Sequence, residues 1–400
     1  MFTEGSSEER IAILGAGISG LSLGWLLSRI GKRVTIFEST NRIGGLARTF
    51  DWHGVPCDIA PHRLYTKDKV IQDPINPIEL VMRFDPRTGA RLVWGFVARP
   101  KLPEDSFEAL ALNRYGRGLY DFFFEPYTKK MFGVPPSQIS VAWGREKLRS
   151  SGLLDAIRRS SKTFFSTFYY PAEGGYGRIS DAMLERIQGE VKLESKVTGI
   201  ERSESRVTAV DYQQNGSTHR FECDRVFSTL PATLLGRMFG EDIRLRFRGI
   251  QLVYLHVKRP RVMPYQWVYF GDGDVVINRM AEFRNFHDPE AEPSNTVLCA
   301  EVTAETDRPV DDVLDALERY QLVKREDIDD TLVLPEGFGY PVYDRGFEVA
   351  KDQAGEIFGR FENLHLVGRN AEFRHIEVDE DLESALAMVR RLYPNARLDA

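Results

Sequence analysis

Arg10-Ile11-Ala12-Ile13-Leu14, then Gly15-Ala16-Gly17-Ile18-Ser19-Gly20, then an apolar helical pattern, lead to a second apolar run that Glu38 closes behind Ile36-Phe37. This order predicts a strand, a glycine turn, a helix and a second strand ending in an acid. A dinucleotide lying across such a unit uses every part of it. Gly15 makes the tight turn, Gly17 lets the backbone approach the pyrophosphate, and Gly20 lets helix and strand pack closely. The phosphates rest on the amides that open the helix, those of Ile18 and Ser19 among them, where the helix dipole favours negative charge. Glu38, eighteen residues past Gly20, is placed for the two ribose hydroxyls of the adenosine.

The next residues choose between nicotinamide and flavin. Ser39-Thr40-Asn41-Arg42-Ile43-Gly44-Gly45-Leu46-Ala47-Arg48-Thr49 holds a second glycine pair with a flanking cation. A second close backbone approach so soon after the first suits a cofactor longer than NAD, with Arg42 as a planar, multi-donor cation over its pyrophosphate.

Gly15 to Glu38 followed by Arg42-Ile43-Gly44-Gly45 resembles the FAD fingerprint of the superfamily that includes amine oxidases, protoporphyrinogen oxidase, phytoene desaturases and UDP-galactopyranose mutase. Asp58-Ile59-Ala60-Pro61-His62-Arg63 is similar to the D-x-G-P-H segment of the mutase-like branch, with Ala60 in place of glycine. The stretch from Leu119 to Gly133, containing Tyr127-Thr128-Lys129-Lys130-Met131-Phe132-Gly133, is similar to that branch's Tyr-Thr-x-Lys-x-Trp-Gly helix, with Phe132 in place of tryptophan. Gly174-Gly175-Tyr176-Gly177, Asn278-Arg279-Met280, Tyr340-Pro341-Val342-Tyr343 and Val367-Gly368-Arg369-Asn370 follow in the expected order.

The resemblance implies FAD as cofactor, held by Gly15, Gly17, Ile18, Ser19, Gly20, Glu38, Arg42, Gly44, Gly45, Leu46, Val197, Gly368, Arg369 and Asp379. The segment Glu372-Phe373-Arg374-His375-Ile376-Glu377-Val378 departs from the family's Tyr-Asn-Asn-Met-Asp pattern. The resemblance also implies that His62 approaches the flavin and that Arg279 binds substrate phosphate, with Arg145 or Arg149 as a second cation. Tyr340, with Tyr176 and Tyr343, would donate a hydroxyl there.

Length and composition agree with a soluble multidomain enzyme, and the resemblance implies a small-molecule substrate. The chain has 400 residues, 42% hydrophobic and 28% charged, enough to bury a large core. A net charge of -6 gives no electrostatic case for nucleic acid. Cys57, Cys223 and Cys299 lie far apart without metal spacing, so the expectation is buried thiols in a reducing cytoplasm and no metal. The first ten residues are polar and acidic, unlike a signal peptide, and no apolar run approaches a membrane span. Oligomeric state is left open.

Along the chain the expected fold is α/β: a discontinuous Rossmann-like FAD-binding domain with a helical insert and an antiparallel-sheet substrate domain. The cofactor domain takes residues 1–70, 181–235 and 350–400, the mainly helical insert 71–180, and the β-rich substrate domain 236–349. A hairpin is expected around Asn215-Gly216, a helix opening at Ser137 after Pro135-Pro136, and a terminal helix from Leu382 to Leu392, with Asp379 just ahead of it.

Three functional readings follow. A mutase-like flavoenzyme would work through flavin N5 on a nucleotide-linked sugar and requires arginines for the leaving diphosphate. A redox oxidase or dehydrogenase would remove a hydride from an apolar or amine substrate and needs no fixed acid or base. A flavin-binding protein without catalysis is the third, suggested by the altered C-terminal segment.

Overall fold

The structure, a computed structural model, describes residues 9–60, 86–147, 169–287 and 293–398. His62, Arg63, Arg149 and the aromatic run 163–168 lie outside the described residues. The chain forms two compact units: Met1–Leu64, Tyr170–Leu245 and Val349–Ala400 make the first, Tyr65–Tyr169 and Arg246–Glu348 the second.

In the first unit, β1 (Ile11–Leu14) and β2 (Val34–Phe37) pair in parallel around the first helix, Ile18–Arg29. β3 (Thr49–Trp52) and β4 (Val55–Asp58) form a separate hairpin. β5 (Gly189–Lys192) extends the parallel sheet beyond β2. β6 (Lys196–Ser203), β7 (Arg206–Gln214) and β8 (Ser217–Glu222) make a three-stranded antiparallel sheet. β9 (Arg225–Ser228) returns to the parallel sheet beside β1, and the strand Leu364–Leu366 closes it on that side.

All four residues of β1 are buried, as a central parallel strand covered on both faces must be. The first helix is apolar nearly all round because Leu23, Leu26 and Leu27 share one core with the sheet and with Ala385 and Val389 of the last helix, Val378–Leu392. The hairpin turn falls on Asn215 and Gly216, both at positive φ (52° and 76°), as a primed two-residue turn requires.

The last helix begins at Val378, four residues earlier than hydrophobic periodicity suggested. Glu377 and Glu380 form a reciprocal capping box there, the Glu377 amide donating to Glu380 Oε2 at 2.8 Å. Asp379 therefore sits inside the first turn rather than ahead of it.

The second unit holds an antiparallel sheet of β10 (Arg246–Val257), β11 (Trp267–Tyr269), β12 (Ile277–Glu282), β13 (Thr296–Val302) and β14 (Ile328–Val342), in spatial order β11-β12-β13-β10-β14. The helix Pro309–Arg319 packs Val313 and Leu317 into the same core as Val253, Leu255, Leu298 and Ala300. Helices Pro86–Val97, Phe107–Leu119, Glu125–Phe132 and Val141–Lys147 belong to this unit as well. After Pro135-Pro136 the chain makes only a short 3-10 turn at Pro136–Gln138, so the helix opens at Val141 rather than Ser137. Phe132 is fully buried, its ring edge-on to Trp143 at 4.9 Å, which makes it a core residue.

Ala60, where the family has glycine, adopts φ 60°, the left-handed region. A Cβ there costs about 1 kcal/mol or more. Ala60→Gly should therefore raise unfolding stability by about 1 kcal/mol in urea titration, and a variant less stable than the parent would contradict this strain.

Candidate functional site

The two glycine turns of the first unit meet. Gly17 and Gly44 form an isolated parallel bridge, and the Gly44 amide donates to the Ala16 carbonyl at 2.8 Å. Gly44 and Gly45 both have positive φ (97° and 56°), and a Cβ on Gly45 would stand 3.2 Å from the Gly17 Cα. Gly20 is glycine for internal reasons, since its Cβ would lie 2.0 Å from the Gly15 carbonyl oxygen. Gly17 is different. Its φ of -73° suits any residue, and its Cβ would meet nothing nearer than the Gly45 Cα at 4.0 Å. Packing within the protein does not require glycine there, whereas a phosphate brought against the backbone does. The helix that Gly17 opens carries no side-chain cap, so its first amides face outward as an anion cradle. The residues present fit a dinucleotide.

Glu38 lies at the end of β2, as expected, yet its carboxylate is already at work. Oε2 accepts from the Ala16 amide at 3.0 Å, and Oε1 from the Thr40 amide and hydroxyl, both at 2.9 Å. It thus shapes the turn between the two glycine segments, with the second lone pair of Oε2 remaining for a ligand. The Arg42 side chain is exposed, and Arg48 is the cation that reaches the glycine pair, donating from Nη1 to the Gly45 carbonyl at 2.8 Å. Val197 is buried on β6, next to Ser195, whose amide donates to the Glu38 carbonyl at 2.7 Å.

Ile18, Ala47, Tyr176 and Val378 form one small buried cluster, which brings the first turn, the second turn, the Gly-Gly-Tyr-Gly segment and the last helix together. Leu46 stands beside Ala47 in the short turn Gly45–Ala47. Asp58, fully buried, binds this assembly from the end of β4. It accepts from the Thr49 hydroxyl at 2.5 Å, the Tyr170 hydroxyl at 2.7 Å and the Tyr176 amide at 3.0 Å. Tyr176 is fully buried in this cluster, its amide held by Asp58.

The C-terminal segment joins the first turn through Asp381. Asp381 Oδ1 accepts from the Ser19 hydroxyl at 2.9 Å and the Arg369 amide at 3.1 Å, and burial pushes its carboxyl up to about 6. Gly368, at φ 94°, allows this approach, because a Cβ would lie 2.1 Å from Ser19 Oγ. Its amide donates to Glu372 Oε2 at 3.1 Å. Arg369 Nη1 reaches the Ile376 carbonyl at 3.4 Å. Asp379 Oδ1 and Asn370 Oδ1 are buried polar atoms with no hydrogen-bond partner among the described residues, as acceptors awaiting a ligand would be. Asp381 was legible as an acid on the buried stripe Val378, Asp381, Ala385, Val389.

A second candidate site lies within the second unit. Arg279 on β12 donates from Nε at 3.3 Å and Nη2 at 2.7 Å to Glu301 Oε2 on the neighbouring β13. Tyr340 donates its hydroxyl to Glu301 Oε1 at 2.5 Å, and Asn278 its amide at 3.2 Å. Burial opposes the Glu301 charge, but Arg279 and these donors hold the carboxyl below the usual range. Burial likewise works against the guanidinium, which Glu301 holds well above its ordinary value. Arg279 Nη1 has no protein acceptor among the described residues. The guanidinium lies 6.0 Å from the centroid of Tyr269, which meets Tyr127 edge-on at 6.2 Å, and Tyr127 stacks on Phe123 at 5.2 Å. Phe123 lies in a π-helical turn at Tyr120–Phe124.

Lys130 anchors the same hairpin, its ammonium donating to the carbonyls of Phe270, Asp272 and Ile277. Burial draws Lys130 down to about 8, while three carbonyl acceptors favour the form with three hydrogens. Tyr343 is buried against Phe347, ring centroids 4.6 Å apart. Arg145 pairs with Glu104 at 3.5 Å on the surface. Among the described residues no His, Cys, Asp and Glu group could hold a metal, and all three cysteines are buried and unbridged.

Residues 122–327, just over half of the chain, match the family profile described as UDP-galactopyranose mutase. The chain belongs to that family. Residues 13–74 match an NAD(P)-binding Rossmann-like domain. A crystal structure of reduced UDP-galactopyranose mutase superposes with TM-score 0.81 at 20% identity, covering 99% of this chain and 95% of that one. A structure assigned as a protoporphyrinogen oxidase, from Exiguobacterium sp. 255-15, gives 0.72 at 16% identity, covering 97% and 99%. An L-amino-acid oxidase from Crotalus adamanteus is 36% identical over 81 residues, only 20% of this chain and 15% of that protein. Family membership places the chain among flavin-dependent enzymes of the oxidoreductase superfamily.

Two outcomes test these sites. Gly17→Ala should leave stability within about 0.5 kcal/mol of the parent while sharply reducing retained cofactor, whereas Gly20→Ala should fail to fold stably. Equal loss of stability in both would remove the reason for assigning Gly17 to a ligand. Arg279→Leu should cost about 3–5 kcal/mol in chemical denaturation because Glu301 is left buried and unpaired. Adding Glu301→Leu should recover most of it, and strictly additive losses would show the pair uncoupled.

Proposed function

We propose that the chain is an FAD enzyme of the mutase-like kind that acts on a nucleotide-linked sugar. The observation that carries this reading is Arg279, held from two nitrogens by Glu301 and left with Nη1 as an oriented donor beside Tyr269. An oxidase cavity for an apolar substrate has no use for a buried guanidinium fixed in this way, whereas a diphosphate does.

FAD would lie along Gly15, Gly17, Ile18, Ser19 and Gly20, its adenosine near Glu38 and Val197 and its second approach at Gly44, Gly45 and Leu46. Arg42 or Arg48 would shield the phosphates, and Gly368, Arg369 and Asp379 would hold the flavin end. His62 belongs to this proposal from the resemblance alone. Bound flavin supplies N5, which accepts a hydride or, when reduced, acts as a nucleophile.

The chain's own residues bind and orient. The Glu301 charge offsets that of Arg279, so Arg279 offers a substrate phosphate direction more than excess positive charge, and discrimination rests on geometry. Tyr340 and Asn278 complete the coordination of Glu301 and prevent the carboxylate from swinging away. Tyr269 and Tyr127 offer ring faces to a base or sugar.

Anaerobic incubation with UDP-sugars, with and without dithionite, tests the reading. Turnover should occur only with reduced flavin and without net redox change, and Arg279→Lys should lower kcat/KM by about tenfold or more with the flavin spectrum unaltered. Bleaching of oxidised flavin by an amine or amino acid, with sugar nucleotides inert, would replace this reading with an oxidase. Inertness in every arm would leave a non-catalytic flavin protein.

A further inference from the structure

Asp381 stands where three parts of the first unit meet. It projects from the first turn of the last helix and is buried, yet its partners come from elsewhere in the chain. One oxygen, Oδ1, accepts both the Ser19 hydroxyl at 2.9 Å and the Arg369 amide at 3.1 Å. The other, Oδ2, accepts no hydrogen bond among the described residues. That division bears on the protonation state. An acid whose donors both sit on one oxygen keeps both bonds when a proton is added to the other, so the site accommodates the neutral form as well as the charged one. Glu38 and Asp58 differ, because each accepts through both oxygens and an added proton would compete with a donor already there.

The surroundings of Asp381 set its response to an anion. The first helix faces it with the Ser19 hydroxyl and carries no charged residue in its first turn. The loop after Gly368 brings Arg369, whose Nη1 is turned to the Ile376 carbonyl, and Glu372, which accepts from the Gly368 amide at 3.1 Å and the Ser384 hydroxyl at 2.8 Å. Arg374 lies 3.9 Å from Glu372. On the helix of Asp381 itself stand Glu377, Asp379 and Glu380, with Glu377 and Glu380 joined in the cap. Acids outnumber cations here, and burial already lifts the Asp381 carboxyl to about 6. Ser19 also belongs to the amides that open the phosphate cradle, so a bound phosphate and a charged Asp381 would confront each other across one side chain. Like charges so placed disfavour one another, and a dinucleotide diphosphate stays ionised near neutral pH, so Asp381 is the partner that takes a proton.

We propose that binding of the dinucleotide cofactor is coupled to uptake of a proton from solvent onto Asp381 Oδ2, so that cofactor affinity rises as pH falls. The proposal rests on the reading that FAD lies across the first glycine turn, and it does not depend on which reaction follows.

Release of FAD from the loaded full chain on dilution, followed by flavin fluorescence from about pH 5.5 to about pH 8.5, tests it. Affinity should be highest at the acid end, where Asp381 is neutral with and without cofactor, and should fall as pH rises. Phosphates that raise the acid by about one pH unit make the affinity about tenfold weaker at the alkaline end. Calorimetry of FAD binding near neutral pH, in two buffers of different ionisation enthalpy, should show the matching proton uptake. Asp381→Asn keeps an acceptor at Oδ1 and fixes the neutral form. It should bind FAD about tenfold more tightly than the parent at the alkaline end, equal it at the acid end, and lose the slope. A purely structural role for Asp381 gives the reverse, weaker binding at every pH with the slope retained. Histidines, His375 among them, titrate alike in both proteins, so the difference between the slopes belongs to Asp381. An unchanged slope in Asp381→Asn overturns the proposal. So does binding of FAD by the parent without proton uptake, a result that stands even where the variant does not fold. FAD that binds at no pH overturns instead the reading of the first turn as its site, and this proposal with it.

Discussion

The contact on which the first unit depends is the meeting of two peptide backbones at Gly17 and Gly44-Gly45. A side chain on Gly45 would press the two loops apart, its Cβ falling 3.2 Å from the Gly17 Cα, whereas one on Gly44 would meet Arg48 of its own turn at 3.0 Å. Everything around that meeting serves to hold it. Glu38 ties the first turn to Thr40, Asp58 ties the β3–β4 hairpin to the Gly174–Gly177 segment, and Asp381 ties the last helix to Ser19. Three buried carboxylates thus brace a region with few apolar side chains, and each draws its donors from a different part of the chain. Such bracing costs desolvation, and the donors gathered around each carboxylate offset it.

In the second unit the organising contact is a buried ion pair. Glu301 sits in a strand whose seven residues are all buried, where an isolated carboxylate would be untenable. Arg279, Tyr340 and Asn278 supply four hydrogen bonds, and the result is a guanidinium whose orientation is fixed by its partner. The register that pairs Arg279 with Glu301 across β12 and β13, and Arg279 with Tyr269 across β11 and β12, sets this geometry. One residue of slip would send each side chain to the opposite face.

Much of the fold was legible because its signals are local. The glycine spacing and the acid ending β2 announced the Rossmann-like unit, and Asn215-Gly216 announced its hairpin. The site was legible in part. Gly17 meets Gly44 and Ser19 shares Asp381 with the Arg369 amide, while Arg42 is exposed and Arg48 donates to the Gly45 carbonyl. Asp381 was not singled out because the helix was expected to start at Leu382, four residues late, which left Asp381 outside the periodic stripe. Glu301 offered one signal, a lone acid in the apolar run Val297-Leu298-Cys299-Ala300-Glu301-Val302, which points to a buried partner without saying which.

The sequence by itself determined the strand, turn and helix that begin the chain, the need for bare backbone at Gly15, Gly17 and Gly20, and the flavoenzyme superfamily. The strand, turn and helix follow from periodicity and from the positive φ of Gly15, while Gly17 and the superfamily were read from the motif as a whole. Tertiary structure alone decided that Glu38, Asp58 and Asp381 act as braces and that Arg279 is paired with Glu301. Those outcomes depend on which groups meet across tens to hundreds of residues, and on whether a buried charge finds its donors once they have met.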